Sequence, residues 1–173
     1  MTIKGWRSRR KAKHTQRTSL PNLTSVQSIA SYVTGKLQYT GDPILGGLDD
    51  FYQHPEYLEY CIQHSIYPPV DCDDYSVLAC ALAKQNPDMT PQMVVLVMSS
   101  FREILSLIFT ALVSFKVPYF PFHEGCFVEV NGKLWFIDTN GLWSALSREE
   151  VISRFKEAWG VNFQIVDTKY PFK

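Results

Sequence analysis

The dipeptide Asn131-Gly132 lies between two strand-like runs, Cys126–Val130 and Lys133–Asp138. Asn-Gly suits a two-residue hairpin turn whose central residues take positive φ, and few short signals fix two strands so tightly. Such a turn sets Val130 opposite Lys133. The same register carried on puts Gly125 opposite Asp138 and His123 opposite Asn140. Side chains alternate between faces along a strand, so these four residues share one side of the sheet. An imidazole, a carboxylate and an amide are thus gathered beside one turn. His123 can take an orienting hydrogen bond from Asn140 directly opposite or from Asp138 diagonally.

A held imidazole becomes a general base when a nucleophile stands near it. Cys72 is the candidate nucleophile. From Val70 to Lys84 the chain reads as a helix with Tyr75, Leu78, Ala79 and Leu82 on one stripe. Alanines at 79, 81 and 83 suit close packing. Asp71, Asp73 and Asp74 at its start and Lys84 at its end suit the helix dipole, and Asn86-Pro87 ends it. Cys72 stands at the head of this helix, where unpaired N–H groups favour a thiolate. The three aspartates read as capping acids rather than metal ligands. Asp73 and Asp74 also oppose a thiolate, because a like charge nearby disfavours it. Cys80, inside the helix, reads as a core residue.

The remaining segments complete an α+β pattern. An amphipathic helix is predicted over 24–39, with Thr24-Ser25 as its cap and Val26, Ile29, Val33 and Leu37 facing inward. A turn-rich connector spans 41–55, and Pro55 opens a short helix to residue 64. Met93–Met98 reads as a buried strand. Residues 102–116 are apolar on nearly all sides and fit either a buried helix or a hairpin arm. Val117–Phe122 reads as an extended linker. The capping box Ser147-Arg-Glu-Glu150 starts a last helix over 147–158, and Phe163–Val166 is a candidate edge strand.

Composition narrows the functional classes. The chain has 173 residues, 46% hydrophobic and 20% charged, which suits one globular domain with a core of its own. Net charge is zero, but seven Lys/Arg and no acid fall in the first 17 residues. The rest therefore holds ten basic and 17 acidic side chains. This break predicts a basic, flexible arm over 1–20 and a folded domain over 21–173. The arm suits contact with nucleic acid or an acidic protein surface, and equally a solvated terminus. No apolar stretch follows it as an export signal would require. The longest nearly apolar run, Ile104–Phe115, is well short of the roughly 20 residues that span a bilayer. A soluble, intracellular protein is expected. Four cysteines without a Cys-x-x-Cys pair predict neither a disulfide scaffold nor a zinc site, and no EF-hand loop is present. Neither a metal nor an organic cofactor is expected.

The stretch Asp-Cys-Asp-Asp-Tyr-Ser-Val-Leu-Ala-Cys-Ala-Leu, residues 71–82, resembles the Gly-Asp-Cys-Asp-Asp-x-Ala-x-Leu signature of transglutaminase-like proteins. Gly41-Asp-Pro and Asp50-Phe-x-x-x-Pro55 are similar to compact bacterial and phage-borne members. Glu129-Val130 with Trp135 and Asp138 looks like the family's His-x-x-x-Glu-Val and Trp-to-Asp strands. The resemblance implies a papain-like fold, with a Cys-bearing helix packed on a small antiparallel sheet. It also implies acyl transfer or hydrolysis at an amide or peptide bond, with a peptide or protein as substrate. Cys72 would be the nucleophile and Asp138 the orienting acid. The chain departs from the pattern in two places. Gly125 stands where the family has its histidine, with His123 two residues earlier, and Val70 stands where the family has glycine. Either a bulge or a shifted register brings His123 into place, or the triad is broken. In the latter case the domain would serve binding or assembly, as in a phage virion, with the arm as its docking element.

Overall fold

The structure is a computed structural model that describes residues 16–40, 52–68, 70–100, 102, 104–106, 109, 113, 123–144 and 147–172. Residues 41–51 of the expected connector over 41–55, the linker over 117–122 and most of the basic arm lie outside these residues.

Five antiparallel strands form one sheet in the order β4-β3-β2-β1-β5. They are β1 Thr90–Met98, β2 His123–Val130, β3 Lys133–Asp138, β4 Gly141–Trp143 and β5 Phe163–Asp167. Helices α1 Val26–Lys36, α2 Pro55–Gln63 and α3 Cys72–Ala83 precede the sheet in sequence, and α4 Arg148–Trp159 lies between β4 and β5. The coarse expectation, α+β with helices packed on a small antiparallel sheet, is therefore met.

The hairpin forms in the expected register. Val130 pairs with Lys133 and Cys126 with Ile137. Asn131 and Gly132 both take positive φ, at 51° and 72°, as a type I′ turn needs. The alternation of β2 then builds two cores. Cys126, Val128 and Ile137 pack with Met93 against α1 and α3. Phe127 and Phe136 face the other way and pack with Val94, Leu96 and Phe155 of α4. The result is three layers, with α1–α3 on one side of the sheet and α4 on the other. Helix α3 is the most enclosed element, since every residue from Asp73 to Ala83 is buried. Its alanines let it sit close to both the sheet and the flanking helices.

Caps follow the sequence closely. Ser25 and Ser28 form a reciprocal capping box on α1. Ser147 accepts from the Glu150 N–H, and Gly160 closes α4 in the left-handed region at φ 70°. The end of the arm packs on the domain: Thr18 N–H donates to the Glu56 carbonyl at 3.1 Å, and Leu20 joins the α1–α3 core.

Three expectations need correction. Cys80 and Cys126 are joined by a disulfide that crosses from α3 to β2. Cys80 is buried as expected, but the spacing of the cysteines hid the bond, because its ends lie 46 residues apart on different elements. Within 102–116 the described residues are helical, which removes the hairpin-arm option there. They are not enclosed: Leu105, Phe109 and Val113 are all exposed. Finally, Asn140 does not sit opposite His123. The β3 strand ends at Asp138, which pairs with Gly141 of β4, so Asn140 occupies the tight turn between them. Gly141 enters that turn at φ 118°, a conformation that strongly favours glycine.

Candidate active site

Cys72 is the first residue of α3, behind the N-cap Asp71, whose side chain accepts from the Asp73 N–H at 3.2 Å. The cysteine is half-buried and carries a thiol rather than a disulfide. It thus has the helix-start position expected of it. Asp74 bears on the charge around the sulfur. Its carboxyl accepts from the Gln53 backbone N–H at 2.8 Å and from Gln53 Nε2 at 2.9 Å. Burial, with the charge of Asp71 added, still pushes Asp74 well above the ordinary carboxylate range.

Asp71, Asp73 and Asp74 each place one carboxylate oxygen within 4.8 Å of the others, a spacing that a cation could use. Two of the three also serve the helix start, Asp71 as cap and Asp74 as acceptor for Gln53.

The second half of the site is a network around Asp138, which is fully buried. Asp138 Oδ2 lies 3.1 Å from His123 Nε2 and accepts from Asn140 Nδ2 at 3.2 Å. Its other oxygen accepts from the Asn140 backbone N–H at 2.8 Å and from the Trp143 indole N–H at 3.1 Å. Of the two sequence options for orienting His123, the diagonal carboxylate is the one formed, and Asn140 braces that carboxylate instead. Because Asp138 takes Nε2, the other ring nitrogen, Nδ1, is left as the one for proton exchange with a nucleophile.

Gly125 is closely covered by a neighbouring side chain. A Cβ there would overlap the ring of Phe136, which lies directly over this glycine. His123 stands two residues earlier, at the first position of β2.

The thiol and the imidazole sit at the same end of the molecule but on different layers. Tyr52 donates to Glu124 at 2.8 Å and Gln53 to Asp74, so two consecutive residues tie the start of β2 to the start of α3. Yet His123 pairs with Leu96 and its ring packs 5.1 Å from that of Phe155, on the α4 side of the sheet. Glu124, the next residue, is buried and turns the other way. Among the described residues no hydrogen bond joins His123 to Cys72. The structure assembles His123, Asp138 and Asn140 into one network.

Sequence reasoning missed Gln53, Trp143 and the disulfide. Trp143 lies in a three-residue strand, too short to leave a periodic pattern. Gln53 acts from the stretch before α2, two residues ahead of Pro55, where no pattern marked it.

No protein-family model matches the chain, and no curated protein matches it.

Proposed function

We propose that the protein is a transglutaminase-like thiol enzyme of the papain-like kind that acts at an amide or peptide bond of a peptide or protein. The observation that carries this reading is the buried Asp138 holding His123 by Nε2, which leaves Nδ1 for the sulfur. In the reaction Nδ1 takes the Cys72 proton and the thiolate adds to the carbonyl. The C–N bond then breaks, and the departing amine takes the proton from the imidazolium. Water or a second amine releases the acyl group from the thioester. The Cys72 backbone N–H, at the helix start, would face the developing oxyanion. This chemistry requires Cys72 and His123 to meet when substrate binds. The basic arm would dock nucleic acid or an acidic protein surface.

A second reading rests on the layer separation itself. With the His123 ring packed on Phe155, the domain keeps the fold and the acid–imidazole pair without a dyad, and serves binding or assembly, for example in a virion. Among the described residues no helix is long and apolar enough to cross a membrane. An intracellular location belongs to the proposal, and the Cys80–Cys126 bond weighs against a reducing cytosol.

Iodoacetamide labelling of the native protein separates the two. Cys80 and Cys126 are bonded, and burial pushes the Cys61 thiol up, so Cys72 should label first. On the enzyme reading Cys72 reacts well below pH 8, and His123→Ala lowers the rate by about tenfold or more. A rate that His123→Ala leaves unchanged selects the binding reading.

A further inference from the structure

The network around Asp138 contains a residue with no part in the proposed reaction. Trp143 donates its indole N–H to Asp138 Oδ1, the oxygen that does not hold His123. Its ring stacks on Phe155 at 5.2 Å with the planes only 6° apart. Phe155 in turn packs against the His123 ring at 5.1 Å. Trp143 therefore reaches the imidazole by two routes, through the carboxylate and through the phenyl ring.

We propose that Trp143 is a positioning residue for the His123 imidazole, with Phe155 of α4 as the stop against which both rings rest. The inference rests on the reading of His123 as a base but concerns only how that base is held. A carboxylate with a single partner can swing about its Cβ–Cγ bond. Asp138 cannot, because Trp143 and the Asn140 backbone pin Oδ1 while Asn140 Nδ2 and His123 share Oδ2. The plane of the carboxyl is thereby fixed, and with it the direction from which Nε2 is bound. The indole is the member contributed by a separate strand, β4. The turn over Asp138–Gly141 brings it back alongside β3, where Trp143 pairs with Phe136. The Arg154 guanidinium of α4 lies over the Trp143 ring, 5.6 Å from its centre, which ties helix and indole together.

The test is proton NMR on the intact protein and on Trp143→Phe, which removes the donor and keeps a smaller aromatic ring for Phe155. In the wild type, the Trp143 indole N–H and the His123 Nε2–H should both be protected from solvent exchange. In Trp143→Phe the His123 Nε2–H should exchange about tenfold faster or more, while backbone amides of β2 and β3 keep their protection. A purely structural role would loosen those amides together with the imidazole. Unchanged His123 exchange in a folded variant overturns the proposal. So does a wild-type indole N–H that exchanges at the rate of free tryptophan, a result that needs no variant. Cys72 alkylation read in parallel keeps the two ideas apart. Faster His123 exchange with unaltered alkylation supports the positioning role and counts against the thiol chemistry.

Discussion

Cutting the bridge between α3 and β2 should cost the protein much of its stability. Cys80 and Cys126 lie 46 residues apart, and the loop they close contains β1 and the segment after it. The entropy of closing a loop of that length is worth about 4 kcal/mol at 25 °C when the bond constrains the unfolded chain. Native domains are stable by only about 5–15 kcal/mol, so the bond is a large share of the whole. Both cysteines are buried, at 1% and 0% exposure. The clean perturbation is reduction of the unfolded protein followed by refolding with reductant, since that keeps both side chains and opens no cavity. Cys80→Ala with Cys126→Ala should lose more, because truncating two buried groups adds a packing term of about 1 kcal/mol each. Urea unfolding followed by circular dichroism measures both. The oxidised protein should show the higher midpoint, and its slope should be smaller because the cross-linked unfolded state exposes less surface. Thiol counting in guanidinium without reductant is the sharper control, and two reactive thiols are expected. Four thiols, or identical midpoints with and without reductant, would refute the reasoning.

Gly125→Ala should lower stability by about 2 kcal/mol or more, because the new methyl group must displace the buried Phe136 ring. A paired Phe136→Leu substitution should recover part of the loss in the same thermal melt. Asp74 gives a pH signature. Its folded carboxyl binds protons more tightly than the unfolded one, so this group's stabilisation is full below about pH 4. It then falls as pH rises toward the raised folded value. Asp74→Asn should flatten that slope in urea titrations run from pH 4 upward, and a slope that the variant leaves intact would remove Asp74 as its source.

Local rules carried the hairpin. Asn131-Gly132 set the register, and every pairing from Cys126 to Val130 follows from it. The helix headed by Cys72 was equally legible, because its cap, stripe and terminator agree. The acid–imidazole contact could be narrowed to two candidates, since alternation fixes a face but not which neighbour along it bonds. What escaped depends on distant parts of the chain. The disulfide joins elements that only the folded layers bring together. The exposure of Leu105, Phe109 and Val113 contradicts a run that looks apolar all round, because apolar composition alone does not say which residues find cover. The layer on which His123 lies relative to Cys72 was not legible either. Period two places His123 with Asp138, but it does not say which face of the sheet α3 will choose.

The ring of Phe136 over Gly125 has a bearing on how such a chain can change over generations. Any side chain placed at position 125 by one substitution would be driven into an occupied space, and shrinking Phe136 first would leave a hole in the core. Each single step is therefore harmful when taken alone. The two positions are thus mutually dependent, and a side chain larger than glycine at 125 is reached through a less stable intermediate or through both changes at once.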